Sequence, residues 1–288
     1  MKHIVLTIGV LLFVCSFASA QYGIFDKTAD WGGPDSPPQR GNIKVEGSVT
    51  VEGSGDSAVY TILGNGDDIW DNNDEGFFVY TERSGSWRLS GKVYWIAPGS
   101  NDWSKIGVMM RETGDDAESR HYWTELRGAS YGDRVDAQWR MTTGGSSGNA
   151  QIFEEDGSTA VADPGDGIYL RISRFAELDL VMSEYSYDGE EWFFSHSQTM
   201  EFPDEIAWGL AITSHVDDEY LVEATVSDVV LEKIQSVISI KRSIDASRFV
   251  PGQTISVSLD VFNPSSDTID VELTETPPAA FTVGEPSA

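Results

Sequence analysis

The chain has 288 residues, of which 47 are Asp or Glu and 19 are Lys or Arg, so its formal net charge is −28. Nucleic acids and anionic membranes bind through basic surfaces, so this balance argues against both as partners. It is compatible with calcium, with neutral glycans and with plain solubility in a salty medium. The single cysteine, Cys15, lies in a segment that we expect to be removed, so no disulfide framework is expected.

The N-terminus has the pattern of a secretory signal peptide, which we assign to residues 1–20. Lys2 precedes an apolar run from Ile4 to Val14, and the small residues Ala18–Ala20 follow. The apolar run is too short to span a membrane, and no second long run follows it. We therefore expect cleavage near Ala20, a location outside the cell or at its surface, and no membrane insertion. Export without disulfides fits a bacterial source.

The next segments predict an all-β domain. Residues 21–41 form a Pro/Gly-rich lead-in, either ordered over the edge of the fold or a flexible tail. Over residues 42–233, apolar and polar residues alternate in short runs separated by Gly, Asp and Ser turns, which predicts two antiparallel sheets in a sandwich. The predicted strands include Ile43–Gly53, Trp87–Ile96, Ile106–Glu112, Val135–Met141, Ile168–Arg174, Leu178–Tyr187, Ile206–His215 and Val222–Glu232.

The composition changes near Glu232. Residues 236–288 contain no tryptophan and alternate between short apolar runs and the turns "PGQ", "NPSSD" and "TPP". This pattern predicts a partial immunoglobulin-like β segment, too short for a complete sandwich. We expect either a natural chain that continues into other modules or a segment that packs on the first domain.

Six short strings follow one another along the middle of the chain: "GNGDDIWDNNDEGFFVY", "WSKIGVMMRET", "TTGGSS", "YLRISR", "YSYDGEEW" and "GLAITSH". Together they resemble a bacterial secreted module of the concanavalin A-like lectin and glucanase superfamily, from Lys44 to Glu232. The resemblance implies a jelly-roll sandwich, frequent binding of carbohydrate or a surface component, and often no enzymatic activity. The later string "RFVPGQTISVSLDV" resembles the start of a bacterial immunoglobulin-like surface repeat.

The stretch from Gly64 to Tyr80 concentrates acidic and amide side chains around Trp70. Calcium takes six to eight oxygen ligands, and calcium is the one cofactor that this stretch suggests. The alternative, which we favour, is a turn between two strands in which Asn and Asp bond their own backbone. The candidate calcium ligands are Asp67, Asp68, Asp71, Asn73 and Asp74.

A glucanase of the resembled superfamily would carry acids that alternate along one strand, where one carboxylate attacks and another donates a proton. The nearest string is "ELDLVMSEY", in which Glu177 and Asp179 alternate but Val181 and Met182 occupy the place of the third acid. We therefore expect no enzymatic activity. A glycoside hydrolase using Glu177 and Asp179, and a structural spacer without a ligand, remain the alternatives.

The aromatic content favours a binding role, since the chain has nine tryptophans and ten tyrosines. Sugar rings stack on aromatic faces while polar neighbours bind the hydroxyl groups, so the expected ligand is a polysaccharide or a surface glycan. Many aromatic residues must point into a sandwich, but two strings mix exposed-looking aromatics with arginine. The binding face predicted from them consists of His121, Trp123, Glu125, Arg127, Trp139 and Arg140.

Overall fold

The structure is a computed structural model. It describes residues 22–32, 44–97, 101–128, 134–216, 219–234, 239–244 and 257–262, so the predicted signal peptide and its cleavage site lie outside the described residues. The chain divides into two compact units, Met1–Lys233 and Ile234–Ala288. Within the described ranges no helix is long and apolar enough to cross a bilayer.

The first unit is a sandwich of two seven-stranded antiparallel sheets, which confirms the predicted fold class. Strands are numbered in chain order. The first sheet contains, in spatial order, β1 (Lys27–Trp31), β6 (Gly76–Ser84), β15 (Glu205–Thr213), β8 (Lys105–Arg111), β9 (His121–Arg127), β10 (Val135–Arg140) and β11 (Ser147–Gln151). The second contains β14 (Phe193–Thr199), β13 (Leu180–Ser186), β12 (Ile168–Phe175), β7 (Trp87–Ala97), β16 (Val222–Lys233), β3 (Val59–Gly64) and β2 (Ser48–Glu52).

The main core lies between the two sheets, because alternate residues of each strand point inward. On β8 these are Ile106, Val108 and Met110, and on β7 they include Leu89 and Val93; all five are fully buried. Burial of this apolar surface provides the main driving force for folding.

The first sheet also buries apolar side chains on its other side, which points away from the second sheet and is called the outer face below. A separate cluster lies there and includes Trp31, Phe78, Met109 and Trp123. A short hairpin covers part of it, formed by β4 (Ile69–Trp70) and β5 (Asn73–Asp74). Both faces of the first sheet are therefore packed.

The lead-in contributes to the sandwich through β1, which pairs with β6 along the edge of the first sheet. The side chain of Trp31 is completely buried, and its indole Nε1 donates a hydrogen bond of 2.8 Å to the carbonyl oxygen of Gly114. This part of the lead-in is thus an ordered edge strand; residues 33–41 lie outside the described ranges.

In the second unit the structure describes one antiparallel pair, β17 (Ser239–Ile244) with β18 (Val257–Phe262). The pair agrees with a β segment. The rest of the predicted immunoglobulin-like region lies outside the described residues, so that part of the prediction remains a prediction.

Candidate ligand-binding site

Strand alternation brings most of the predicted binding residues together on the outer face. His121, Trp123, Glu125 and Arg127 alternate along β9, and Arg140 on β10 lies directly opposite His121. These five residues are at most 2% exposed, so the expectation of an exposed aromatic face is wrong. The β4–β5 hairpin and its neighbours cover this part of the sheet.

Trp139 is the exception among the predicted residues. It has the same parity on β10 as Val135 and Ala137, and it packs against the main core between the sheets. Its ring stacks on the ring of His196 with centroids 4.5 Å apart. Trp139 therefore lies on the opposite side of the first sheet from the other five.

The hairpin is attached to the outer face through a buried carboxylate, that of Asp74. Arg111 Nη1 donates to it at 2.7 Å, and Arg140 donates from Nη2 at 2.6 Å and from Nη1 at 2.9 Å. Burial opposes the charge, but His121 and the two guanidiniums hold the pKa of Asp74 well below its ordinary value. His121 lies 3.4 Å from the same carboxylate, and burial lowers the pKa of its imidazole to about 4. This group of ions holds the hairpin in place.

The acidic stretch therefore forms a hairpin turn. Asp71 is exposed at the turn with a φ of 46°, Asp67 is exposed, and Asn73 Oδ1 is buried without a hydrogen-bond partner among the described residues. The carboxylates of Asp68 and Asp74 pair with a lysine and two arginines. The arrangement does not fit a calcium ion, because these cations occupy the ligand oxygens. In the described ranges no three His, Cys, Asp or Glu side chains form a group that could hold a metal.

A cavity of about 380 Å³ opens beside the hairpin, at the end of the outer face where β8 begins and β9 ends. This volume lies within the range of small-ligand sites, about 300–1,000 Å³. Two indoles lie on it, that of Trp70 from the hairpin and that of Trp103, which is 38% exposed. The described lining residues are Asp68, Trp70, Trp103, Lys105, Arg127, Arg134, Asn149 and His215.

On the hairpin side of the cavity, the ammonium group of Lys105 donates hydrogen bonds to three protein oxygens. Its Nζ donates to Asp68 Oδ1 at 2.6 Å, to Gln138 Oε1 at 3.2 Å and to the carbonyl oxygen of Ile69 at 3.5 Å. Despite burial, Lys105 and His215 hold the pKa of Asp68 below its ordinary value. On this side of the cavity, Lys105 and Asp68 therefore form an ion pair. The ring centroid of Trp70 lies 5.5 Å from Lys105 Nζ.

On the other side, the guanidinium of Arg127 lies against the indole of Trp103, with its central carbon 4.4 Å from the ring centroid. Arg127 Nη2 lies 2.5 Å from Asp136 Oδ2, and Nε donates to Glu125 Oε1 at 3.5 Å. Its Nη1 is buried and has no hydrogen-bond partner within the described part of the chain. Within the described residues, the guanidinium of Arg127 therefore keeps one buried donor without an acceptor.

Two carboxyl groups lie beneath Arg127. Glu125 and Asp136 face each other across β9 and β10, and both side chains are completely buried. Burial raises the pKa of Glu125 to about 8, and the nearby Asp136 adds to that effect while Arg127 opposes it. Burial also raises the pKa of Asp136. At neutral pH Glu125 is therefore the group that keeps its proton.

Glu177 and Asp179 do not lie on a strand, and the prediction that they alternate along one is wrong. Residues Ala176–Leu178 form a 3₁₀ turn between β12 and β13, and Asp179 closes it with a φ of 48°. Ser86 Oγ donates to Glu177 Oε2 at 2.7 Å, which lowers the pKa of that carboxyl group. Neither acid lines the cavity.

Only Arg127 and Asp68 among the predicted site residues line the cavity; the sequence analysis missed the others. Trp103, Lys105 and His215 belong to strings that carried the family resemblance, but no local motif marks them. Trp103 and Lys105 lie at the start of β8, whereas His215 follows β15, and only the pairing of these two strands brings the residues together.

No protein-family model matches the chain, and no curated protein matches it. Among solved structures, a functionally unknown protein from Saccharomyces cerevisiae is similar, with a TM-score of 0.50, 14% identity, and coverage of 65% of this chain and 96% of that one. A mutant of the GH43 protein BlXynB from Bacillus licheniformis has a TM-score of 0.45 and 11% identity, over 60% of this chain and 33% of that one.

A legume lectin-like domain from Entamoeba histolytica is also similar in fold, with a TM-score of 0.41 and 8% identity, over 66% of this chain and 89% of that one. At such low identity no function passes from these proteins to this chain.

Proposed function

We propose that this protein binds carbohydrate in the cavity between Trp70 and Trp103 and does not cleave it. The observation that supports the proposal most strongly is the pairing of two indoles with polar side chains around one open cavity. Aromatic faces provide contact area for the C–H groups of a sugar ring, and polar neighbours fix the orientation of its hydroxyl groups.

The acids near the cavity support a non-catalytic role. Hydrolysis of a glycosidic bond requires two carboxyl groups that reach the bond from either side. Asp68 lines the cavity, but its carboxylate is held by Lys105 at 2.6 Å. Glu125 and Asp136 are fully buried beneath Arg127. None of the three is free to attack a sugar.

One observation favours hydrolysis as a second candidate function. A carboxylic acid that keeps its proton at neutral pH is suited to general acid catalysis, and Glu125 has this property beside a second carboxyl group, Asp136. If the protein were a hydrolase, incubation with glycans would release reducing ends, and Glu125→Gln would abolish the release. We expect no release by the unmodified protein.

Binding can be tested by calorimetric titration after a glycan-array screen. Trp103→Ala and Trp70→Ala should each weaken binding of the best glycan about two- to tenfold, since an aromatic ring contact contributes about 0.5–1.5 kcal/mol beyond the area that it buries. The matched control is Phe194→Ala, because Phe194 is 62% exposed on the second sheet and does not line the cavity.

The results of this titration distinguish binding in the cavity from binding elsewhere and from a structural spacer without a ligand. Equal weakening by Phe194→Ala and Trp103→Ala, or no effect of either, would place the site elsewhere. An array without any bound glycan, at a protein concentration that detects weak binding, would favour the structural spacer.

A further inference from the structure

We infer that Asp68 determines the specificity of this cavity: its carboxylate accepts a hydrogen bond from one hydroxyl group of the bound sugar. The inference rests on the proposed carbohydrate-binding function and adds the class of ligand, an uncharged saccharide that is recognised through a hydroxyl donor.

Asp68 is the one acid among the described residues that line the cavity. It directly precedes the β4–β5 hairpin, and its side chain is 21% exposed. The side chains of Glu125 and Asp136, by contrast, are completely buried. A ligand in the cavity therefore meets the carboxylate of Asp68 and neither of the other two.

The ion pair with Lys105 leaves Asp68 able to accept further hydrogen bonds. Lys105 Nζ donates to Oδ1 at 2.6 Å, and Oδ2 lies 3.4 Å from Nε2 of His215. An ionised carboxylate has about four acceptor positions, so these two contacts do not use all of them. A calcium ion needs about six to eight oxygen ligands at once, whereas a hydroxyl group needs a single acceptor.

The carboxylate of Asp68 is charged and held in place before a ligand arrives. Burial opposes its charge, but Lys105 and His215 hold its pKa below the ordinary value, so it is ionised at neutral pH. Lys105 lies on β8 and also donates to Gln138 on β10 and to the carbonyl oxygen of Ile69, which ties the hairpin to the sheet. A hydrogen bond to such a charged, fixed acceptor contributes more than one between neutral groups.

The charges around Asp68 also limit the ligand. An ionised carboxylate or a phosphate dianion has no proton to donate to Oδ2, and Asp68 would repel it. An ammonium group would approach Lys105 Nζ, which lies 2.6 Å from the same carboxylate. A hydroxyl group avoids both repulsions, and the imidazole of His215 beside Oδ2 gives it a second polar neighbour.

The test removes the hydroxyl group from the ligand and the carboxylate from the protein, separately and together. Trisaccharides of glucose, of mannose and of galactose are titrated by calorimetry at pH 7, beside their monodeoxy derivatives at each hydroxyl position. We expect one deoxy derivative to bind the unmodified protein about tenfold or more weakly than its parent. Asp68→Asn has an uncharged amide, so the same derivative should lose about threefold or less against it.

Correct folding of Asp68→Asn is checked by its melting temperature. Because this change leaves Lys105 without its carboxylate, the double variant Asp68→Asn with Lys105→Met is measured as well, and it should show the same loss of discrimination. Glu112→Gln is the control, since Glu112 pairs with Arg120 and does not line the cavity. It should leave the tenfold discrimination unchanged.

An equal loss for the deoxy derivative against Asp68→Asn and against the unmodified protein would overturn the inference. Deoxy derivatives that all bind the unmodified protein as tightly as their parents would do the same. So would tighter binding of a glucosamine trisaccharide than of the glucose trisaccharide, because Asp68 would then be a site for a cation. In each case, binding that Trp103→Ala weakens leaves the proposed function intact. Failure to bind any of these sugars, with no glycan bound on the array, would end both.

Discussion

At the scale of single residues, the carboxylate of Asp74 pairs with two arginines that are completely buried, Arg111 and Arg140. Removing one partner of a buried ion pair leaves a charge in a medium of low polarity. The fold tolerates these arginines only because the hairpin carries Asp74 to them.

Asp74→Asn should therefore lower the free energy of unfolding by about 3–5 kcal/mol, measured by urea denaturation at pH 7. The matched control is Glu112→Gln, whose partner Arg120 lies 2.7 Å away with both side chains partly exposed. That change should cost about 1 kcal/mol or less. Similar losses in the two variants would show that Asp74 does not hold the outer face together.

The buried carboxyl group of Glu125 makes stability depend on pH. In the unfolded chain this carboxyl group ionises near its ordinary pKa of 4.5, whereas in the folded protein it keeps its proton up to about pH 8. Unfolding between these values releases a proton, so stability falls as the pH rises through that window.

Glu125→Gln, which resembles the protonated acid, should match the unmodified protein at pH 5 and exceed it at pH 8 by about 2 kcal/mol or more, at about 1.4 kcal/mol per pKa unit. Thermal unfolding followed from pH 5 to pH 9 measures the difference. Glu177→Gln is the control. Because the pKa of Glu177 is lowered in the folded protein, removing that carboxyl group should not increase stability at high pH. A Glu125→Gln protein that gains nothing at pH 8 would contradict a protonated Glu125.

Residue identities alone predicted only part of the site. The binding face predicted from the sequence included His121, Trp123, Glu125 and Arg127, which alternate along β9 in the structure and so lie on one side of the sheet. Trp139 was grouped with them by composition, although it shares parity with the apolar Val135 and Ala137. The burial of these residues was not predicted, because charged residues are expected at the surface. They are buried because the β4–β5 hairpin covers the outer face.

At the scale of elements, the longer strands follow from the sequence and the short ones do not. Predicted strands such as Trp87–Ile96 and Ile168–Arg174 correspond to β7 and β12 within a residue or two. The hairpin strands β4 and β5 have two residues each, too few to show any alternation. The cover of the outer face, and with it one wall of the cavity, therefore could not be predicted.

The contact between β15 and β6 depends on a glycine. A Cβ atom at Gly209 would lie 2.0 Å from the carbonyl oxygen of Val79, so the two strands would have to separate. Gly209→Ala should destabilise the protein by about 3 kcal/mol or more in urea denaturation.

Gly55→Ala is the matched control for that experiment. Its Cβ atom would meet no other atom within 4 Å, although its φ of +58° is unfavourable for alanine. The expected cost is about 1–2 kcal/mol. Equal costs at the two glycines would contradict the close packing of β15 on β6.

At the scale of the whole molecule, the chain is strongly acidic, with a net charge of −28, whereas the residues that line the cavity include three basic side chains. The acidic surface keeps the protein soluble and repels anions at long range, whereas the cavity gathers basic groups. Repulsion between exposed charges is screened beyond about 10 Å at 0.1 M salt. Binding assays therefore belong at moderate ionic strength, where the local chemistry of the cavity dominates.

The central claim is that the cavity between Trp70 and Trp103 is where carbohydrate binds. Hydrogen exchange followed by mass spectrometry, with and without a bound oligosaccharide, measures the location directly. We predict that protection rises in peptides covering Asp68–Trp70 and Trp103–Lys105, with no change around Phe194 on the second sheet. Protection confined to the second sheet, with none at the cavity, would contradict the claim.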